Sequence, residues 1–219
     1  MAGRSKPPKP TTIFFVRHGR TPTTGKVLPG RAPGLHLSDE GRAQAEAVAG
    51  RIASVPKVAA VYASPLERTR ETAAPIARAL GHRVVIERGL LECDFGEWTG
   101  AELKTLAKLP EWQQVQRHPS GFRFPGGESF LEMQTRLSDV VRKLVAAHPG
   151  ETVVAVSHAD PVKVVTADAM GTHLDHFQRF DIAPCSVTVV TYGAGGPFVL
   201  TVSSSGSLPG AAPPATAAA

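Results

Sequence analysis

Cysteine is scarce in this chain, with two among 219 residues, Cys93 and Cys185. They lie far apart and without a Cys-x-x-Cys spacing, which indicates neither a disulfide framework nor a zinc site. Long apolar runs are missing too, and none approaches the roughly 20 residues of a membrane span. The first apolar run, Thr12 to Val16, breaks at Arg17, shorter than the roughly 7–15 residues of a signal-peptide core. The expectation is a cytoplasmic protein with no membrane partner. Aromatics make up only 6%, and the formal net charge of +5 comes from Lys and Arg that are scattered apart from Arg4, Lys6 and Lys9. No aromatic-rich basic stripe accompanies them, so no nucleic-acid partner is expected. Hydrophobic residues at 42% and charged residues at 20% are globular values. The length suits one domain with a sizeable core.

Residues 1–11 form a basic low-complexity tail and residues 203–219 a Pro/Ala/Ser/Gly tail. Neither holds enough apolar surface to offset the entropy of ordering, so both are expected to be mobile. Between them, over 12–202, strands and helices alternate. Runs at 12–16, 58–63, 83–86, 152–156, 182–191 and 198–202 read as strands. Ser38-Asp39-Glu40 starts a helix carrying Ala43, Ala47, Val48 and Ile52 at helical spacing. Ser64-Pro65 reads as a cap and first helical residue, with Gly81 as the stop. Further helices are expected at 128–147 and 161–170. This alternation predicts an α/β three-layer sandwich, a mainly parallel mixed sheet with helices on both faces. The strand near 182–191 is expected to be exposed and to offer pairing with a second copy, a route to a homo-oligomer.

In such folds ligands gather at the carboxyl ends of strands. Arg17-His18-Gly19-Arg20-Thr21, Ser64 to Arg68 and Ser157-His158 all fall at such ends. Burying unpaired charge is costly, so cations at buried strand exits imply an anion between them. Arg provides a fork of donors matched to phosphate oxygens, and Arg68 lies in the first turn of its helix, where backbone N–H groups favour an anion. A neutral His with its far nitrogen tied down can act as a nucleophile. Plainer readings exist: Arg68 pairing with Glu67 or Glu71, or His158 capping the next helix. His173-x-x-His176 with Asp175 has a metal-like composition, but histidines on a polar stretch are usually solvated. Cys93 reads as a small packing residue, and Trp98 and Trp112 as residues that shape a pocket lid or simply pack.

Five stretches carry a resemblance: RHGRT at Arg17 to Thr21, SPLERTRETA at Ser64 to Ala73, LLECDFGEWTG at Leu90 to Gly100, PGGES at Pro125 to Ser129 and VSHAD at Val156 to Asp160. In this order they resemble the histidine phosphatase superfamily, its phosphoglycerate mutase-like branch, over about residues 12 to 202. The resemblance implies that His18 becomes phosphorylated and that Arg17, Arg68 and His158 hold the phosphoryl group. It makes Glu92 the proton donor, with Asp94 and Glu97 as alternatives, and sets Thr21 near the phosphate. It implies no metal or other cofactor. Two positions depart from the family pattern: Thr24 replaces a frequent Asn, and Ala159 replaces a Gly that contributes a backbone N–H, which Ala retains. The stretch from Gly100 to Pro125 is short and lacks the phosphoglycerate-gripping insertion of true mutases. A phosphomonoesterase acting on a small phosphorylated metabolite is therefore expected, with a phosphomutase as the alternative and a catalytically silent phosphate-binding module as a third reading.

Overall fold

In the computed structural model, residues 9–211 are described; the mobility expected of 1–8 and 212–219 falls outside the described residues. The β-branched and aromatic runs become strands β1 (Thr11–Arg17), β2 (Val58–Ala63), β3 (Val84–Ile86), β4 (Thr152–Ser157), β5 (Val187–Gly193) and β6 (Gly196–Ser204). Helices α1 (Asp39–Ala53), α2 (Glu67–Leu80), α3 (Leu103–Leu106), α4 (Pro110–Arg117), α5 (Phe130–Ala147) and α6 (Ala159–Ala169) fill the connections. Among the described residues the sheet order is β3-β2-β4-β1-β5-β6. The first four strands are parallel neighbours, and β5 runs antiparallel to both β1 and β6.

Successive strand side chains point to opposite faces, and the two cores follow that alternation. Phe14, Val16, Val154 and Val156 pack with Val48 and Ile52 of α1 and Ile76 of α2. Ile13, Phe15, Val153 and Ala155 pack with Met133, Leu137 and Leu144 of α5 and Val162 and Val165 of α6. The expected sandwich with helices on both faces is what the chain forms. On the second face, Phe95, Trp98, Phe122, Phe124 and Phe130 pack edge to face or tilted, with centroids 4.9–5.5 Å apart, the spacing at which aromatic quadrupoles attract. Trp98 is buried in this cluster and stacks on Trp112. These aromatic side chains fix the irregular stretch that follows Glu92.

Three expectations need correction. Ser64 does not cap α2: the helix starts at Glu67 with Leu66 at its N-cap position and no side-chain cap, because the Ser64 hydroxyl is bonded to His158 Nε2 at 2.8 Å. The strand expected at 182–191 begins only at Val187 and is not an edge, since β1 and β6 flank it. The chain's order therefore offers no pairing of this strand with a second copy. Finally, the boundary at 202 is too early. β6 reaches Ser204, Leu208 is buried, and the Arg51 guanidinium donates to the Gly206 and Ser204 carbonyls at 2.7 and 2.9 Å. One apolar anchor and one capped set of carbonyls hold a stretch whose average composition is that of a tail. At the other end, Thr11 already belongs to β1, and its hydroxyl donates to the His148 carbonyl at 2.7 Å.

Candidate active site

β2, β4 and β1 are neighbours, and their carboxyl ends deliver the side chains singled out in the sequence. Arg17 pairs in register with Ser157, and the His18 N–H continues the ladder by donating to the Ser157 carbonyl at 2.9 Å. The Ser64 N–H does the same toward Val156 at 3.0 Å. The strand exits thereby set the His18 and His158 rings edge to face, 5.2 Å apart. Gly19 is required behind His18, because a Cβ there would stand 2.6 Å from the Gly41 carbonyl oxygen in α1.

The hydrogen bonds assign the ring nitrogens. His18 Nδ1 lies 2.7 Å from the Gly19 carbonyl oxygen, which can only accept, so Nδ1 carries the proton and Nε2 keeps its lone pair. Burial, together with the charges of Arg68 and Arg17, lowers the His18 pKa to about 3. The imidazole is therefore neutral at ordinary pH. His158 occupies the N-cap position of α6 without capping it, and burial and Arg68 hold its pKa well below the usual range.

Around these rings lie buried nitrogens with no partner among the described residues. Arg68 is fully buried, and its Nη2 donates to the Gly30 carbonyl at 2.8 Å. Its Nε and Nη1, Arg17 Nε and His158 Nδ1 have no hydrogen-bond partner among the described residues. Arg17 Nη1 donates to the Ile182 carbonyl. Buried orphaned donors cost about 1–3 kcal/mol each, more when charged. Several converging on one place are the mark of an anion site. The Arg68–Glu67 or Glu71 pairing left open by the sequence is not formed: Glu71 accepts from the Leu37 N–H at 2.8 Å, and the Arg68 fork faces inward.

Glu92 is buried, and its Oε1 accepts from the Cys93 N–H at 3.0 Å. Burial and, next, the Asp160 charge raise its pKa to about 7, against the opposing pull of Arg68. Sequence reasoning missed what holds it. The Glu92 carbonyl accepts from Arg31 Nε at 2.8 Å and Arg136 Nη2 at 3.1 Å. Glu128 ties both guanidiniums together, at 3.0 Å to Arg31 and 2.6 Å to Arg136. Arg31 sits in an irregular loop and Arg136 on an otherwise ordinary amphipathic helix, so neither gave a signal; only Glu128, in the PGGES stretch, did. Ser157 Oγ adds a bond to the Leu90 carbonyl at 2.7 Å, joining the end of β4 to the same segment.

A cavity of about 230 Å³ opens at His18, lined by Arg17, His18, Thr21, Glu92, Asp160 and Lys163 among others, while Arg68 and His158 are fully buried and not among its lining residues. Thr21 is present there, but its hydroxyl is shared with Thr24 Oγ1 at 3.0 Å and Thr23 Oγ1 at 3.3 Å. Thr24, at the departing position, thus orders Thr21. Asp94 and Glu97, the alternative acids, are not among the cavity's lining residues. His173 and His176 lie elsewhere, with His173 Nδ1 accepting from the Asp175 N–H at 3.2 Å.

Comparison with known proteins gives a consistent lineage. A bifunctional protein of Mycobacterium tuberculosis is 33% identical over 190 residues, covering 85% of this chain and 52% of that protein; the chain thus spans about half the length of this relative. Phosphoserine phosphatase 1 of Hydrogenobacter thermophilus is 32% identical over 183 residues, 81% of this chain and 85% of that one. The solved structure of YhfR from Bacillus stearothermophilus superposes with a TM-score of 0.83 at 26% identity, covering 90% of this chain and 98% of that one. The mycobacterial glucosyl-3-phosphoglycerate phosphatase shares the fold, with a TM-score of 0.81 at 22% identity over 90% of this chain and all of that one. The model of the histidine phosphatase superfamily, branch 1, matches residues 13–205, and to that family this chain belongs.

Proposed function

We propose that this protein is a metal-independent phosphomonoesterase that works through a phosphohistidine on His18 and acts on a small phosphorylated metabolite. One observation carries the reading: the unpartnered buried nitrogens of Arg17, Arg68 and His158 lie around an imidazole whose far nitrogen is tied to the Gly19 carbonyl. In the first step the Nε2 lone pair attacks phosphorus in line, and the bond from phosphorus to the leaving oxygen breaks. Glu92 gives its proton to that oxygen. In the second step the Glu92 carboxylate takes a proton from water as its oxygen attacks phosphorus, and the phosphorus–nitrogen bond returns its electron pair to Nε2. Arg17 and Arg68 balance the charge on the equatorial oxygens throughout, the electrostatic part that metal ions play elsewhere. The relatives named phosphatases support hydrolysis as the outcome. The modest cavity suits a small substrate. No nucleic-acid or membrane partner is needed for this chemistry, and a cytoplasmic setting fits it.

The test uses p-nitrophenyl phosphate without added metal and with a chelator present. Release of inorganic phosphate is expected from the wild type, with acid-labile phosphate trapped on His18. His18→Ala should lose at least about a thousandfold in rate. Phosphate moved only to a second hydroxyl, with none released to water, would favour the mutase reading. A fully active His18→Ala would end both.

A further inference from the structure

Of the phosphate donors, Arg17 lines the cavity beside His18, and the same lining carries further charges in a different pattern. Asp160 and Lys163 stand one turn apart on α6 and both line the cavity, with Asp181 beside them. Residues three apart share a helix face, so the two opposite charges are presented side by side. Their separation, 3.8 Å between Lys163 Nζ and Asp160 Oδ1, is too long for a hydrogen bond. Lys163 spends one donor on Gln178 Oε1 at 2.9 Å, which leaves two of its three N–H groups. The Asp160 carboxylate accepts no hydrogen bond among the described residues, and its side chain keeps 16% of its exposure. Val27, Leu28, Phe95 and Leu103 add apolar lining to the same cavity.

Resting on the phosphomonoesterase reading, we propose that the substrate is an amino acid phosphorylated on its side-chain hydroxyl, with Asp160 receiving its ammonium group and Lys163 its carboxylate. In an α-amino acid the two charged groups hang from one carbon, side by side. That arrangement is the complement of a carboxylate and an ammonium held close as a loose ion pair with no hydrogen bond between them. A plain phosphorylated acid fits less well. It would place its carboxylate before two aspartates and one lysine, and like charges at such range disfavour binding. A plain phosphorylated amine would leave Lys163 with only Asp160 and Gln178, and an uncharged sugar would bring no counterpart to the three charges beyond the loose Asp160–Lys163 ion pair. Asp181 is exposed at the rim, where it adds to the field that favours the ammonium.

Four esters separate the contributions: O-phospho-L-serine with both charges, 3-phosphoglycerate with the carboxylate alone, phosphoethanolamine with the ammonium alone, and glycerol 3-phosphate with neither. The expected kcat/KM is highest for O-phospho-L-serine, by tenfold or more over each of the others. Lys163→Met should erase its advantage over phosphoethanolamine, and Asp160→Asn its advantage over 3-phosphoglycerate. Reading ratios within each variant cancels any general effect on folding or on Glu92. Equal turnover of the four esters by the wild type, or ratios untouched by either substitution, overturns the proposal while leaving a phosphatase. Failure to hydrolyse these esters and p-nitrophenyl phosphate alike would overturn the phosphatase reading, and this one with it.

Discussion

Glu92 is the residue whose chemistry is set most directly by its surroundings. It must be protonated to serve as an acid, and an ordinary Glu is ionised well below neutral pH. Burial and the neighbouring Asp160 raise its pKa to about 7, so the protonated form dominates below neutrality. His18 titrates near pH 3 in the free protein and stays an unprotonated nucleophile throughout that range. The expected kcat/KM profile is level from about pH 4.5 to 6.5 and falls above pH 7 as Glu92 ionises. Glu92→Gln should lower the rate on esters with a poor leaving group by at least about a hundredfold and remove the alkaline limb. A steady-state pH series on both proteins checks this. An unchanged profile in Glu92→Gln would shift the acid to another carboxylate. The arginines at the Glu92 carbonyl are positioning residues in this scheme: they touch its backbone and leave its carboxyl free.

At the scale of elements, the site depends on how closely the β1 exit packs on α1. Gly19 and Gly41 meet backbone to backbone, and a Cβ on Gly41 would come within 2.0 Å of the Arg20 carbonyl oxygen. The Gly19 N–H also donates to Thr72 Oγ1 of α2 at 3.1 Å, and Ser38 receives α1's first turn while donating to the Arg20 carbonyl. Gly41→Ala must push the His18 loop away from α1. Overpacking of this kind costs about 1–3 kcal/mol, and activity should fall more than stability does, because the displaced segment carries the nucleophile. Denaturant unfolding and kcat measured on the same preparation check it; full activity in Gly41→Ala would show that the loop relaxes elsewhere. Much of this scale was legible in the sequence. Strand exits could be aligned by counting from apolar runs, which brought Arg17, His18, Arg68 and His158 together correctly. Ser64-Pro65 misled because Ser is an equally good cap and hydrogen-bond donor, and only tertiary placement beside His158 chooses between them. The run at 182–191 is apolar from its first residue, yet Cys185 takes a positive φ of 54°, a turn that no apolar pattern announces. Arg31 and Arg136 were invisible because a guanidinium that binds carbonyls looks in sequence like any surface cation.

For the molecule as a whole, a buried guanidinium is a standing cost. The Arg68 side chain is completely buried with two unpartnered nitrogens, and burial pulls its pKa down. The two histidines add a pH term. Their folded pKa values lie below the unfolded value of roughly 6.5, so the unfolded chain binds more protons and stability falls as pH drops from about 6.5 toward 3. Glu92, with its pKa raised, acts oppositely: its cost grows as pH rises from about 4.5 to 7. Near pH 7.5 the histidine contribution is complete and the Glu92 cost is largely in place, and the buried Arg68 guanidinium is a further weakness. Replacing a buried charge by an apolar side chain of similar length is often neutral or stabilising, so Arg68→Met should keep or raise Tm in phosphate-free buffer, despite losing its bond to the Gly30 carbonyl. Inorganic phosphate at a hundred times its Kd should stabilise the wild type by about 2.7 kcal/mol, a shift of roughly 5–11 °C for a chain of this size. Arg68→Met should show almost none of that shift. Thermal unfolding of both proteins with and without phosphate reads the two effects together. A variant that melts far below the wild type yet still responds fully to phosphate would mean that Arg68 is part of the scaffold, with the anion held elsewhere.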